Sequence, residues 1–306
     1  MPKRIIQTIS EKESGKTIRD YLKSCGFSEP QIRSMKFREN GICLNGRRSR
    51  VTAVLETGDR LELLADGGES ISSHLVSASV MPEILYEDED VIVVNKPAGI
   101  PVHPAHGHYG DTLANCLAAY FRQAGGEVSV RSIGRLDKET SGIVLFAKNR
   151  IAAARLSAQR EEGKLQKQYL ALCHWESGRA SEGWHTIEKP IAPLEGSLMK
   201  MCVHPEGKPA VTHYRVERYF ENAALLRLWL ETGRTHQIRV HMAEEGHPLA
   251  GDRLYGEKED AGMKISRAAL HAETLTFFQP FTGEKLSVHA GLPEDMRWLG
   301  DAVERS

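Results

Sequence analysis

One carboxylate in this 306-residue chain stands among cations on a short polar turn: Arg135-Leu136-Asp137-Lys138, within Gly134 to Gly142. Positive neighbours keep a carboxylate ionised, and an ionised carboxylate on a tight loop can serve as nucleophile or proton acceptor. The plainer alternative is a loop Asp that bonds its own turn and pairs with Arg135. Glu139 lies two residues on, which does not establish the carboxylate pair that glycoside hydrolysis uses. Tyr169 offers an aromatic plane that could stack on a flat substrate, although a Tyr on a strand is most often core. Arg234 directly precedes a helix start at Thr235, a position from which a cation can reach into a cleft. His103, His106 and His108 invite a metal, but only Asp111 accompanies them, and it is better placed as a helix cap, so no metal is expected.

Several elements must hold these residues. Ile143 to Ala147 is apolar without alternation, the pattern of a buried strand, which puts Asp137 at the mouth of a core strand. Lys167-Gln168-Tyr169-Leu170-Ala171 reads as a strand with Lys167, Tyr169 and Ala171 on one face. Ile238 and Met242 share a helical face after Thr235, and Arg239 inside that helix reads as a structural or phosphate contact. Leu113, Leu117 and Tyr120 mark another helix, ended by Gly125-Gly126. Asn149 can cap a helix from Ile151 to about Glu161 that Gly163 stops. A short terminal helix is expected from about Glu294.

Nearer the start, helices are expected over Thr17–Leu22 and over Ser28–Met35, the latter capped by Ser28 with Pro30 in its first turn. A hairpin turning at Asn45-Gly46 follows, and then a strand ending at Leu63. Residues 65–79 are rich in Gly and Ser and read as a flexible linker, which would let the parts on either side move until a ligand binds both.

At this length two domains are the prior. Residues 1–64 carry 13 Lys and Arg against 8 Asp and Glu, while the remainder carries 27 against 33. A basic N-terminal module suggests a polyanionic partner. Cys25, Cys43, Cys116, Cys173 and Cys202 form no Cys-x-x-Cys pair, which argues against a zinc site or a disulfide framework and fits a reducing cytoplasm. No apolar stretch approaches membrane-spanning length. The expectation is a cytoplasmic, monomeric protein with no membrane attachment.

The run Gly134-Arg135-Leu136-Asp137-Lys138-Glu139-Thr140-Ser141-Gly142 with its following strand resembles the signature loop of the RluA family of RNA pseudouridine synthases. Many members have His where this chain has Gly134. Val93-Val94-Asn95-Lys96-Pro97-Ala98-Gly99 and Gly233-Arg234-Thr235-His236-Gln237-Ile238-Arg239 resemble two further motifs of that family, in the same order. The resemblance spans roughly residues 14–64 and 82–292. It implies an α+β fold, in which a catalytic domain over 82–306 has a mixed, mostly antiparallel sheet with flanking helices. It also implies a small S4-like RNA-binding domain over 1–64, carried by the Leu44-Asn45-Gly46 turn and Gly58-Asp59-Arg60-Leu61-Glu62-Leu63, with residues 65–81 as linker. That domain's usual Arg-Leu-Asp opening is looser here, at Thr17-Ile18-Arg19-Asp20.

By the same resemblance Asp137 is catalytic, Arg234 pairs with it, Tyr169 lies against the target base as stacking and proton-accepting group, and Leu270 walls the pocket. Arg135 is expected to replace the extruded base or hold a phosphate, and Lys167 to contact RNA. Arg33, Lys36, Arg38, Arg47, Arg48 and Arg50 would grip phosphates. The implied reaction isomerises uridine without a cofactor on a base taken out of its stack. The implied partner is RNA, ribosomal RNA of the large subunit first and transfer RNA as the alternative. A non-catalytic RNA-binding or assembly factor is the rival from another class, and the joint presence of Asp137, Tyr169 and Arg234 counts against it.

Overall fold

A computed structural model describes residues 3–65, 81–104, 110–125, 130–176, 178, 180–256 and 265–299. The linker expected over 65–81 lies almost wholly outside these residues, as do His106 and His108.

The N-terminal part is built around its own sheet. Strand β1 (Lys3–Thr8) precedes helices α1 (Ile18–Ser24) and α2 (Glu29–Phe37), then strands β2 (Ile42–Leu44), β3 (Arg47–Arg48) and β4 (Arg60–Ala65), in the sheet order β1-β4-β2-β3. Thr17 caps α1 by accepting from Asp20 N, and Ser28 with Gln31 forms a capping box on α2. Asn45 and Gly46 both adopt positive φ, 51° and 77°, as the tight β2–β3 turn requires. Strand β1 escaped the sequence reading because Lys3-Arg4 begins it and its apolar alternation is short. It pairs with all of β4, and Ile5 and Ile9 join Ile18, Leu22, Ile32, Leu61 and Leu63 in one core.

The larger part runs β5 (Glu83–Glu87), β6 (Val91–Lys96), α3 (Leu113–Gln123), β7 (Arg131–Ser132), β8 (Ser141–Ala147), α4 (Arg150–Glu161), β9 (Gln166–His174), β10 (His185–Glu188), β11 (Ile191–Pro193), β12 (Met201–Val203), β13 (Val211–Tyr219), β14 (Ala223–Leu230), α5 (Gln237–Glu244), β15 (Leu270–Phe278) and β16 (Lys285–His289). The short terminal helix expected from about Glu294 is a 3-10 helix over Glu294–Leu299. Thr112, not Asp111, caps α3, and His236, not Thr235, occupies the cap position of α5.

Ten strands make one mixed sheet, ordered β10-β13-β14-β9-β15-β8-β6-β5, with β7 on β8 and β16 on β15. Every pairing among these is antiparallel except β8 with β15, which runs parallel at the centre. The fold is α+β with a mixed, mostly antiparallel sheet. On one face Ile92, Val94, Val144 and Phe146 share a core with Leu113 and Leu117 of α3, with Tyr169, Ala171 and Leu270, and with Ile238 and Met242 of α5. On the other, α4 packs Ala152 and Leu156 against Ile143, Leu145, Leu275 and Phe277. Strand β8 is buried throughout because both faces are covered.

The parallel pair sets His271 opposite Ser141 and Ala272 opposite Gly142. Gly142 has φ +108°, and a Cβ there would lie 2.2 Å from Ala272 O and 2.6 Å from Ala272 N. Only glycine lets the strands approach so closely. Gly142→Ala is therefore expected to destabilise the protein by roughly 3 kcal/mol or more, combining left-handed backbone strain with a backbone clash. A lowered denaturant midpoint at unchanged slope would register it.

The two parts are in contact through α4. Ile151 is fully buried in the N-terminal core. Arg155 pairs with Glu13 at 2.6 Å, donates to Pro280 O at 2.8 Å and lies 5.1 Å from the centre of the Phe281 ring. The linker composition gave no hint of this, because the contact is made by side chains remote in sequence.

Candidate active site

Backbone carbonyls fix the loop that carries Asp137. Thr140 N donates to Asp137 O at 3.2 Å, closing a turn. Lys138 O accepts from Gly99 N at 2.8 Å and from Lys96 Nζ at 3.1 Å. Lys96 is fully buried, and its ammonium also donates to Pro97 O and Ile100 O, both at 2.9 Å. On the other side Arg267 donates to Glu139 O at 3.0 Å, to Leu270 O at 3.2 Å and to Ser141 Oγ at 3.3 Å. A bidentate bond to Asp295, at 2.7 and 2.9 Å, anchors Arg267 in turn. Two buried cations thus hold the loop just after Asp137, Lys96 through Lys138 O and Arg267 through Glu139 O and Ser141 Oγ, and neither engages the Asp137 side chain. Burial lowers the Lys96 pKa to about 7; the Arg267 charge acts in the same sense and Asp137 opposes it.

Asp137 is half-buried, and its carboxylate makes no hydrogen bond or ion pair among the described residues. Tyr169, Leu136 and Leu270 belong to the same core cluster, with Tyr169 8% and Leu270 4% exposed. Leu270 opposes Ala171 across the β9–β15 pair, two residues along from Tyr169. The Tyr169 pKa is pushed upward by burial and then by the Asp137 charge, so its side chain is a neutral phenol near neutral pH.

Arg239 is a second buried cation, besides Lys96, that responds to Asp137. It lies on α5, is 5% exposed, and binds Asp252 through two bonds of 2.7 Å. Burial would lower its pKa; Asp252, then Asp137 and Glu139, outweigh that and raise it. Arg234 sits elsewhere. Its Nε donates to Pro209 O at 2.9 Å and its backbone N to Gln237 at 3.0 Å, and no ion pair joins it to Asp137. The expected Asp137–Arg234 pair is not formed because Arg234 precedes α5 and turns toward the 205–210 loop, whereas Arg239 is carried on the buried side of the helix.

His236 also belongs here. Its φ of 56° is left-handed, uncommon for a non-glycine residue. Nδ1 lies 2.9 Å from Tyr255 Oη. Burial lowers its pKa first, with Asp137 opposing and Arg239 reinforcing; Asp252 and Arg135 act more weakly. Sequence reasoning missed His236, Tyr255, Lys96, Arg267 and the role of Arg239. The only local signal was the density of His, Arg and Gln between Arg234 and His241.

The remaining expected contacts divide by exposure. Arg135 is exposed and makes no hydrogen bond or ion pair among the described residues, while its charge reaches His103 and His236. Lys167 is turned inward: its ammonium donates to Ile143 O at 3.0 Å, and burial lowers its pKa to about 8, with Arg160 adding to the shift. A chain carbonyl thus faces this amine. Arg33, Lys36, Arg47 and Arg48 are exposed on α2 and β3. Arg33 and Lys36 flank the ring of Phe37, itself 68% exposed.

Behind the loop, fully buried His271 accepts from Ser141 Oγ at 3.0 Å and donates from Nε2 to Ala290 O at 3.3 Å. Burial lowers its pKa from 6.5 to about 4; the Ala290 bond and Glu273 oppose the shift only in part. A folded pKa below the unfolded one means that the unfolded chain binds the proton more readily. Its contribution to stability is therefore complete above about pH 6.5 and lost as pH falls toward 4, amounting to about 3 kcal/mol. Denaturant titrations across that window should show a flatter pH dependence for His271→Asn than for the wild type.

A model of the RNA pseudouridylate synthase family matches residues 90–244. The chain is 38% identical over 283 residues to an uncharacterized RNA pseudouridine synthase, YjbO, of Bacillus subtilis (strain 168), covering 92% of this chain and 98% of that protein. It is 37% identical to ribosomal large subunit pseudouridine synthase D of Haemophilus ducreyi, over 87% of this chain and 82% of that one. Among solved structures, human RNA pseudouridylate synthase domain containing 1 superposes with a TM-score of 0.56 at 28% identity, covering 74% of this chain and 95% of that chain.

Proposed function

Given that the chain belongs to the RNA pseudouridylate synthase family, and so isomerises uridine to pseudouridine in RNA, we propose that it acts on large-subunit ribosomal RNA in the cytoplasm, with Asp137 as the catalytic residue. The observation that carries the assignment is a half-buried carboxylate, its loop held by backbone bonds and its side chain unpaired among the described residues, whose charge acts on the buried Tyr169. The Haemophilus ducreyi relative, named as a large-subunit ribosomal enzyme, supports the choice of RNA.

The reaction breaks the bond from ribose C1′ to uracil N1, turns the base and joins C1′ to C5; the C5 proton is released and N1 takes one up. The target must leave its stack to be reached. Asp137 works at the ribose, either by attacking C1′ or by removing a proton from C2′. Leu270 walls the base and Tyr169 stacks on it. A neutral phenol is a poor base, so Tyr169 takes the C5 proton only by passing on its own in the same step. Arg239 supplies the positive charge that the motif comparison had assigned to Arg234. Exposed Arg135 fills the gap left by the base or holds a phosphate. Residues 1–64 act as the RNA-binding domain, with Arg33, Lys36, Arg47 and Arg48 on phosphates and the exposed Phe37 among them.

Tritium release from C5-labelled RNA tests this. The RNA comes from cells lacking the protein, so that its site is unmodified. Release from large-subunit ribosomal RNA by the wild type, and none by Asp137→Ala, is the expected result. Release from transfer RNA alone would overturn the choice of RNA, and tight binding without release would favour a non-catalytic factor.

A further inference from the structure

We propose that His236 is a substrate-contacting residue whose Nε2–H donates a hydrogen bond to the 2′-oxygen of the target uridine's ribose. The inference rests on the reading of Asp137 given above and extends it to a residue outside that assignment.

A chain of hydrogen bonds fixes the imidazole. Met201 N donates to Tyr255 Oη at 2.9 Å. The Tyr255 hydroxyl proton then has one acceptor among the described residues, His236 Nδ1 at 2.9 Å. With Nδ1 accepting, the neutral ring carries its proton on Nε2. That N–H makes no hydrogen bond among the described residues, although the ring is half-buried. The backbone beneath it is held left-handed at φ 56° and ψ 20°, where the start of a helix ordinarily has extended backbone. The rings of His236 and Tyr255 meet edge to face, with centres 5.6 Å apart, which restrains the imidazole further.

Ile238, two residues along, shares one core cluster with Leu136 and Tyr169, and the Asp137 charge reaches the imidazole, so a substrate held at Asp137 offers this fixed donor an acceptor. Asp137 itself acts at C1′ or C2′ under either form of the reaction. The ribose oxygens bonded to those carbons are O4′ and O2′, and O2′ is the hydroxyl, the better acceptor and the group that distinguishes RNA from DNA. His236 would therefore orient the sugar edge on which Asp137 works.

A thermodynamic cycle tests the contact. Synthetic stem-loops carry the mapped target as C5-tritiated uridine or C5-tritiated 2′-deoxyuridine, and the enzymes are wild type, His236→Ala and His236→Gln. The wild type should lose about 10-fold in kcat/KM on the deoxy substrate, the scale of one hydrogen bond. His236→Ala should lose about 10-fold on the ribose substrate and almost nothing more on the deoxy one, with melting temperature and RNA affinity unchanged. His236→Gln, which keeps an N–H donor, should recover most of the loss and its sensitivity to the 2′-oxygen. Losses that multiply to about 100-fold, or an unimpaired His236→Ala, would overturn the contact while leaving the assignment of Asp137 intact. No release by the wild type from either RNA would remove both.

Discussion

Asp137→Asn is expected to bind RNA as the wild type does and to lose turnover by on the order of 10³- to 10⁴-fold, the scale of deleting a reacting acid–base or nucleophilic group. The substitution is nearly isosteric and removes only the charge. It leaves the loop in place because Lys96 and Gly99 hold Lys138 O, and Arg267 holds Glu139 O, none of them through the Asp137 side chain. Loss of the charge also removes one of the two influences that raise the Tyr169 pKa, so a tyrosine titration should shift downward in the variant. Single-turnover assays with matched measurements of RNA affinity separate chemistry from binding. A variant retaining more than a few per cent of the wild-type rate would sink the assignment.

The second large effect concerns Arg239. Arg239→Leu is expected to destabilise the protein by about 3–5 kcal/mol, because Asp252 is left buried with no counter-charge. The Asp252 side chain is fully buried and also accepts from Leu254 N at 3.0 Å and Tyr255 N at 3.2 Å. Removing both charges, in Arg239→Leu with Asp252→Leu, should restore about 2 kcal/mol, since an apolar replacement of a buried pair is often close to neutral. Turnover should nevertheless stay down by on the order of 10²-fold, because Asp137 has lost one of the two buried cations, Arg239 and Lys96, that respond to it. Denaturant midpoints and kcat measured on the three proteins decide the matter. Recovery of both stability and turnover in the double variant would make Arg239 purely structural.

What could be read from the sequence followed from contacts short in sequence. The apolar run of β8, the Asn149 cap, the Ser28 capping box and the Asn45-Gly46 hairpin are each specified within a few residues, and the structure has them. The mouth of β8 was likewise legible as the position of Asp137. Which arginine reaches it was not. Arg234 and Arg239 share one motif, and the choice between them depends on Asp252 and on the rotation of α5, neither visible in a local pattern. Lys167 shared a strand with Tyr169, but the carbonyl that captures it belongs to Ile143, across the sheet. Lys96 and Arg267 gave no sign of their roles, because the partners of Lys96 are main-chain oxygens and those of Arg267 include Asp295, 28 residues away, and a main-chain oxygen 128 residues back.

The parallel pairing of β8 with β15 bears on when the molecule becomes competent. Ser141 meets His271 from 130 residues away, and Arg267, close to β15, clamps the loop that precedes β8. Contacts of such separation require the closure of a long loop and form late compared with hairpins such as β5–β6. During synthesis the Asp137 loop leaves the ribosome well before the strand that completes its surroundings. The nascent chain therefore lacks the partners that hold the Asp137 loop until β15 and Asp295 have been translated and docked.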